Sequence, residues 1–370
     1  MATGITTYQC PACTGPLHFV GESGKLECDY CGSSYEVTEI EKLFSEKEAA
    51  SVAAQTKAEQ AQEKEAAAAA ETGLAWDAQE TEGMKTYNCS SCGAEMICDA
   101  TTAATSCLYC GNPAIVPGQF TGGLRPELLI PFKLDKQAAI DALKKYYRGK
   151  KFLPKTFRDQ NHIEEIQGVY VPFWLCDCQV EGEVSYDATK SRRWKEGDYE
   201  ITETDHYQVD RSGRIDFERI PVDASTKMPD THMDAIEPYD YSELKAFSTA
   251  YLPGFLADKY DVSQQESVPR IKMRAKNSAV AEMRKTVQGY DAVRAKRENF
   301  QFSHAEPKYV LMPVWMLNTK WNGQNFLFAM NGQTGKLIGD LPVDKGKYLA
   351  WFGGIALPLM ALILGFWFFL

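Results

Sequence analysis

The chain has 370 residues, enough for two or three domains, and a formal net charge of −10 at pH 7. An acidic chain is a poor general binder of nucleic acid, because contacts with phosphate groups need basic surfaces. Residues 1–7 hold neither a basic region nor an apolar run, so we expect no signal peptide. In a reducing compartment, paired cysteines favour metal over disulfides.

The first predicted element is a zinc ribbon at residues 1–38. Two CxxC pairs, Cys10 with Cys13 and Cys28 with Cys31, are separated by fourteen residues. Each CxxC turn presents two thiolates to one ion, and two such turns across a hairpin complete a tetrahedral Cys₄ site. Four thiolates leave no coordination position for a substrate, so the predicted Zn²⁺ is structural rather than catalytic.

The same spacing recurs at Cys89, Cys92, Cys107 and Cys110, which predicts a second zinc ribbon at residues 85–118. An offset of 79 residues aligns the ligands and further pairs: Tyr8 with Tyr87, Phe19 with Cys98, Tyr30 with Tyr109, and Gly32 with Gly111. We therefore expect a duplicated module with two structural Zn²⁺ sites. The extra cysteine, Cys98, is predicted to be a small core residue. The alternatives for the eight cysteines are a disulfide framework or buried apolar thiols.

Residues 39–84 join the two ribbons. They are rich in Ala, Glu, Lys and Gln, lack proline, and hold few large apolar side chains. This composition favours a long solvated helix that acts as a semi-rigid spacer, with disorder as the alternative.

Residues 119–345 are predicted to form a mixed α+β domain. A strand begins at Leu129, and Asp135 can cap a helix that runs through Tyr147. Later helices are predicted at residues 241–247 and 276–300. At an offset of 141 residues, Val169-x-x-Pro-x-Trp matches Val310-x-x-Pro-x-Trp, which predicts two related β-hairpin units.

Two further cysteines, Cys176 and Cys178, alternate along a presumed strand of this domain. A redox or metal role is conceivable for two thiols on one face. Two thiols at this spacing are too few and too close to chelate one ion well, so we predict a packing role.

Basic residues concentrate in two stretches of the α+β domain: Lys144, Lys145 and Arg148 in the first, and Arg284, Lys285, Arg294 and Arg297 along the later predicted helix. Both stretches could simply be solvated faces. Because the domain is predicted to be tethered to a bilayer, anionic lipid headgroups are the nearest partner, followed by an acidic protein and then by nucleic acid.

Residues 349–370 contain no charged side chain over 22 positions, which is long enough to cross a ~30 Å hydrocarbon layer. Lys345 and Lys347 precede this segment, so the positive-inside rule keeps the bulk of the chain in the cytoplasm. We expect a tail-anchored protein of the inner membrane, with a buried core helix as the alternative.

Within the predicted span, small or kinking residues recur at helical spacing, namely Gly354, Pro358, Ala361 and Gly365. One face of the helix could therefore approach another membrane helix closely, although small residues are also common in membrane helices generally.

Catalytic motifs are missing from the sequence. It contains no G-x-x-x-x-G-K-[ST], no H-E-x-x-H and no G-x-S-x-G, and its five histidines are scattered singly. We therefore expect a protein that is not an enzyme, although one sequence does not reveal a pocket hidden in the α+β domain.

Several segments together resemble the YdjG-like bacterial membrane proteins, often labelled TFIIB-type zinc-ribbon proteins or, by extension, PriA-like helicases. They are the two ribbons, Val-Pro-Phe-Trp at 171–174, and residues 251–261, 311–318 and 328–336. The resemblance implies a membrane protein that works with another integral membrane protein to recruit a cytoplasmic SPFH-domain protein during envelope stress. The helicase label is contradicted by the missing phosphate loop.

These observations predict an α+β chain with two Cys₄ zinc ribbons joined by a long helix, duplicated β-hairpin units and a C-terminal transmembrane helix. The predicted function is that of a non-enzymatic, membrane-anchored, zinc-binding adaptor that recruits a cytoplasmic partner. The alternative is a nucleic-acid-binding or replication-associated zinc-ribbon protein, which would bind tightly and lose affinity steeply with salt.

Overall fold

The structure is a computed structural model. It describes residues 8, 10–12, 17–21, 23–46, 76, 78–89, 91–99, 102, 107–110, 115–119, 124–155, 157, 163–303 and 307–369. These residues fall into two compact units. The first comprises Met1–Val171, Thr226–Lys259 and Leu311–Leu370, and the second Pro172–Ser225 and Tyr260–Val310.

The described strands, in chain order, are β1 (Leu17–Val20), β2 (Lys25–Cys28), β3 (Ser34–Tyr35), β4 (Lys85–Cys89), β5 (Glu95–Cys98), β6 (Ile115–Gln119), β7 (Leu128–Leu129), β8 (Gln167–Glu196), β9 (Tyr199–Asp223), β10 (Lys245–Ala246), β11 (Leu256–Asp258), β12 (Ala292–Ser303), β13 (Lys308–Trp321), β14 (Gln324–Asn331) and β15 (Leu337–Gly339). The α-helices are α1 (Ala78–Thr81), α2 (Lys136–Tyr147), α3 (Asp230–Ile236), α4 (Gln264–Lys285) and α5 (Lys345–Phe369), and residues 37–46 are also helical. The chain is therefore a mixed α+β protein, as predicted.

The N-terminal residues of the first unit form a small sheet of their own, with the antiparallel order β1-β2-β3. The helical residues 37–46 pack on this sheet through Ile40, which is 1% exposed, and Phe44, whose ring meets Tyr8 edge-on at 5.1 Å. We call the described residues within 8–46 the first cysteine module. Most of the predicted spacer that follows lies outside the described residues.

The larger sheet of the first unit has the order β10-β7-β13-β8-β11-β5-β4-β6, and β14 and β15 extend it beside β13. Helix α2 packs its apolar face, including the fully buried Leu143, on this sheet against Phe328 and Trp315. Asp135 begins the helix as predicted, because its carboxylate accepts a hydrogen bond from Ala138 N at 2.8 Å.

The second unit is built on a long antiparallel hairpin of β8 and β9, paired from Phe173 with Asp223 to Glu196 with Tyr199. Strand β12 pairs antiparallel with the other side of β8. Helix α4 covers the sheet through a buried stripe of small and apolar residues that includes Ile271, Ala275 and Ala279.

The helix predicted at residues 276–300 was wrong in its second half. Helix α4 ends at Lys285, Gly289 adopts a positive φ of 85°, and the chain continues as strand β12. Lys and Arg are good helix formers, and their abundance here obscured the half-buried alternation of Phe300 and Phe302 that faces the core of the second unit.

The short helix predicted at residues 241–247 was also wrong. The chain makes a single 3₁₀ turn at Tyr241–Glu243, capped by Asp240, and then forms strand β10, which pairs with β7. A cap residue alone does not extend a helix, because nucleation needs several consecutive helical residues.

The two proline-containing strands that matched in sequence make matching local contacts. Phe173 pairs with Asp223, and Val314, at the same offset of 141, pairs with Asn331. Corresponding hydrogen bonds run from Ala224 N to Pro172 O (2.9 Å), Gly332 N to Pro313 O (2.8 Å), Trp174 Nε1 to Val262 O (2.8 Å) and Trp315 Nε1 to Leu134 O (2.9 Å). The origin of these hairpins by duplication stays a prediction.

At the C-terminal end, helix α5 is long and apolar enough to cross a membrane. None of its Lys345–Leu364 portion is buried inside the protein. A helix with this length and composition, and with no buried residue in its described portion, has the properties of a bilayer-spanning segment.

Candidate metal sites

The second cysteine cluster along the chain brings together Cys89, Cys92, Cys107 and Cys110, whose Sγ atoms all lie within 4.8 Å of one another. The sulfurs of Cys89 and Cys110 are 3.5 Å apart, as are those of Cys92 and Cys107. Disulfide sulfurs lie ~2.05 Å apart, whereas Zn–S bonds of ~2.3 Å place the sulfurs of a tetrahedral site about 3.8 Å apart. The cluster could therefore hold a metal ion and is consistent with zinc.

The first cluster contains Cys10, Cys28 and Cys31, again with all sulfurs within 4.8 Å of one another. The sulfurs of Cys10 and Cys31 are 3.5 Å apart. Cys10 and Cys28 are buried and Cys31 is exposed. The fourth predicted ligand, Cys13, lies outside the described residues, so the structure brings together three of the four.

One CxxC pair in each cluster ends in the same tight turn. Gly32 N donates to Cys28 O at 2.9 Å, and Gly93 N donates to Cys89 O at 2.9 Å. Both glycines have a φ of +70°, which other residues adopt only with strain. Our alignment paired Gly32 with Gly111 and missed Gly93, although the C-x-x-C-G sequence was a sufficient signal for this turn.

The protonation of the second cluster follows from the closeness of its sulfurs. Hydrogen bonds from the thiols of Cys107 and Cys110 hold the pKa of Cys89 far below its usual range. Hydrogen bonds with Cys110 and Cys89 hold the pKa of Cys107 far above it. Four thiolates at these distances repel one another, so a bound cation is what would stabilise the fully deprotonated cluster.

Strand β5 joins the second cluster to the rest of the first unit. We call the described residues within 85–119 the second cysteine module. Its Ile97 pairs with Ala257 of β11. Next to this pair, Lys259 N donates to Glu95 O at 3.2 Å, and the two side chains form an ion pair of 3.6 Å with only 11% and 12% of their surfaces exposed. The second module is therefore held by strand pairing and a nearly buried ion pair.

A tyrosine between the last two cysteines adds to this attachment. Tyr109 is buried and its backbone carbonyl accepts a hydrogen bond from Asn318 of β13. Burial and the nearby carboxylate of Asp258 raise the pKa of Tyr109 well above its usual range, so the phenol is neutral.

The aligned strands β1 and β5 have different neighbours on one side. In the first module, Leu17 of β1 pairs with Cys28 of β2. In the second, the aligned Met96 of β5 pairs with Asp258 of β11. On the opposite side of β1, Leu17 N donates to Tyr8 O, and on the opposite side of β5, Met96 pairs with Tyr87, which aligns with Tyr8. Strand β11 thus occupies on β5 the place that β2 occupies on β1.

Aligned side chains also differ in exposure. Phe19 is 60% exposed and Tyr30 is 37% exposed, whereas their counterparts Cys98 and Tyr109 are 0% and 8% exposed. Two positions that are buried in the second module therefore carry exposed aromatic side chains in the first module.

The predicted basic residues lie on several elements. Lys144, Lys145 and Arg148 are exposed at the end of α2, and Arg284, Lys285, Arg294 and Arg297 belong to the second unit. The prediction that this second group follows one helix was wrong, because Arg294 and Arg297 lie on the exposed strand β12. Lys144 and Arg148 are brought together in one cleft, and Lys145 is not among its lining residues.

The structure places Cys176 and Cys178 in the apolar core between α4 and the β8–β9 hairpin. Burial raises the pKa of Cys176 to about 11 and also raises that of Cys178. The two thiols lie outside both cysteine clusters among the described residues. These surroundings agree with the predicted packing role.

The predicted membrane-packing residues Gly354, Pro358, Ala361 and Gly365 all lie within α5. Gly354 has open space where a Cβ would be placed, as expected for a helix face that nothing in the described chain covers.

Comparison with known proteins identifies a relative. The chain is 37% identical over 367 residues to the uncharacterized protein YdjG of Bacillus subtilis (strain 168), an alignment that covers 98% of this chain and 99% of the relative. No protein-family model and no solved structure matches the chain. At this identity and coverage, the chain belongs to the family of YdjG.

Proposed function

We propose that this protein is a non-enzymatic, membrane-anchored adaptor in which two zinc ribbons stabilise the cytoplasmic part and the first ribbon docks a partner. Helix α5 would serve as the anchor and would pair through its small residues with another integral membrane protein. Four thiolates per ion would make both zinc ions structural. The resemblance to YdjG-like proteins suggests a cytoplasmic SPFH-domain protein as the partner.

The main support for the proposal is a difference in exposure between aligned side chains of the two cysteine modules. The second module buries the aligned side chains Cys98 and Tyr109, which are 0% and 8% exposed. At the same positions the first module presents Phe19 at 60% exposure and Tyr30 at 37%. Exposed aromatic side chains on a module of stable fold are typical anchors for a protein partner.

The charge of the first module supports a protein partner over nucleic acid. Its Lys25 is paired with Glu36 at 2.9 Å, and His18 lies 3.4 Å from Asp29. Zn²⁺ with four thiolates would add a net charge of about −2. Such a surface repels phosphate groups, so nucleic-acid binding by this module remains the weaker alternative.

The test is a recruitment assay with the full chain reconstituted in neutral phosphatidylcholine vesicles. An SPFH-domain protein from the same genome is added, and the fraction that floats with the vesicles is measured. We expect recruitment by the unchanged chain and a loss of about tenfold for Phe19→Asp, because a charge replaces an aromatic anchor.

The control is Glu27→Gln, a change of charge on the neighbouring strand that should leave recruitment within about twofold. Recruitment that is equal for all three chains would contradict docking through the first module. No recruitment by the unchanged chain, together with duplex DNA binding that weakens steeply with salt, would favour the nucleic-acid alternative.

A further inference from the structure

A cleft of about 810 Å³ opens beside the start of helix α5. Six of the ten residues that line it are basic, namely Lys144, Arg148, Lys150, Lys151, Lys155 and Lys347, and the others are Tyr147, Gly149, Leu153 and Ile163. No carboxylate lines it among the described residues. Lys144 lies in the last turn of α2, and Arg148 follows directly after the helix.

Contacts tie the cleft to the first turn of α5. Lys347 Nζ donates to Leu153 O at 2.9 Å, and Asp344 N donates to Phe152 O at 2.8 Å. The ring of Phe152 lies 5.8 Å from that of Tyr348 and 6.4 Å from that of Trp351. Where α5 enters a bilayer, Tyr348 and Trp351 are therefore at the depth of the headgroups, and the cleft lies with them.

Among the described residues, one basic side chain of the cleft is paired with a carboxylate. Lys347 forms an ion pair with Asp344 at 3.6 Å. Lys150 and Lys151 instead lie over the rings of Tyr146 (4.7 Å) and Trp351 (4.4 Å), contacts that leave their charge in place. Within the part of the chain that the structure describes, no carboxylate lies within ion-pair distance of Lys144, Arg148, Lys150, Lys151 or Lys155.

We propose that this cleft binds the phosphate group of an acidic phospholipid headgroup in the leaflet that α5 enters. Arg148 would provide paired N–H donors for phosphate oxygens, and the lysines would provide point charges around it. The aromatic residues at the start of α5 would place the acyl chains beside the helix. The inference rests on the proposed anchoring by α5 and adds a lipid class to it.

The test uses the full chain in vesicles of phosphatidylcholine alone and of phosphatidylcholine with phosphatidylglycerol. After solubilisation in neutral detergent, native mass spectrometry counts the phospholipids retained per chain. We expect retained phosphatidylglycerol for the unchanged chain and a loss of roughly 25-fold in its apparent affinity for Arg148→Gln/Lys155→Gln, at about fivefold per charge.

The matched control is Lys145→Gln/Lys136→Gln, which removes two charges from α2 outside the cleft and should leave retention within twofold. Equal losses in both variants would overturn the proposal in favour of a diffuse surface charge. Competition by millimolar inorganic phosphate that abolishes retention would show a site for free phosphate and overturn the lipid assignment, and tight binding of duplex DNA in place of lipid would do the same.

The anchoring itself is checked separately by flotation with the neutral vesicles. A chain that fails to float would overturn the proposed membrane function. A chain that floats but shows no preference for phosphatidylglycerol would overturn the cleft proposal alone.

Discussion

The two cysteine modules begin from the same spacing of ligands and end in different structural contexts. The first completes its sheet with its own strand β2 and its own helical residues 37–46. The second completes its sheet with β11, a strand that lies far along the chain. The same local motif therefore serves as a separate module in one place and as part of the main sheet in the other.

This difference separates two tasks that a metal cluster can perform. A cluster inside the larger sheet contributes its binding free energy to the stability of that sheet. A cluster in a module with its own sheet stabilises only that module and leaves its outer surface for other contacts.

Removing two ligands of the second cluster should destabilise the larger sheet. For Cys107→Ser/Cys110→Ser, we expect the free energy of unfolding to fall by about 4 kcal/mol or more, because metal binding is coupled to folding. Tryptophan fluorescence of the full chain during denaturant unfolding in neutral detergent measures this. Cys28→Ser/Cys31→Ser should leave the same transition within about 0.5 kcal/mol. Equal losses would remove the distinction between the modules.

The nearly buried ion pair between Glu95 and Lys259 gives the next largest effect. Lys259→Met removes the nearly buried ion pair with Glu95, which should cost about 3 kcal/mol in the same unfolding assay. The double variant Glu95→Leu/Lys259→Met should recover most of that loss. In the first module, Lys25→Met breaks the exposed pair with Glu36 and should cause no measurable change. A cost for Lys25→Met similar to that for Lys259→Met would contradict the contrast.

Metal release should also distinguish the clusters. Cys31 is exposed, whereas Cys92 and Cys110 are half-buried. We expect a chromogenic chelator to remove zinc in two phases that differ about tenfold in rate, since release follows local opening. Only the fast phase should be missing in Cys28→Ser/Cys31→Ser. Loss of the slow phase in that variant would show that the first cluster, and not the second, releases its metal slowly.

The smallest predicted effect is one that the modules share. Gly32→Ala and Gly93→Ala each place a Cβ on a residue with φ of +70°, which should cost about 1 kcal/mol of local stability. Hydrogen exchange of the turn amides, with and without metal, measures this cost. Gly21→Ala, at a position with open space and no positive φ, serves as the control and should change nothing. A cost confined to one module would show that the turns are not equivalent.

Local sequence signals predicted the local features of this structure. The CxxC spacing indicated the clusters because a metal site needs ligands at short, fixed intervals. Asp135 indicated the start of α2 because a cap acts on backbone groups within three residues. The long apolar segment indicated α5 because the length and apolar composition of a membrane-spanning helix can be read from its own residues.

Features that depend on distant residues were not predictable in this way. Ile97 and Ala257 are 160 positions apart, and nothing near either residue specifies the other as its partner. The sequence around Lys259 does not distinguish it from an exposed lysine, yet its side chain forms a nearly buried ion pair with Glu95. Strand β12 was missed because its Ala, Arg, Lys and Glu residues favour a helix, and its pairing with β8 decides in favour of a strand. The basic stretch with Lys144 and Arg148 was predicted, but the cleft that it forms with Lys347 was not, because Lys347 lies far along the chain.

The pairing of β5 with β11 also determines which cysteine module can complete its sheet first while the chain is being synthesised. Among the described residues, the sheet and the packed helix of the first module are formed by positions up to 46, so this module can close soon after they leave the ribosome. Strand β5 must wait for β11, which at ~5–20 residues per second takes roughly 10 to 30 s. During that interval β5 has an unpaired edge, and the charge of Glu95 at its start opposes pairing with other nascent chains.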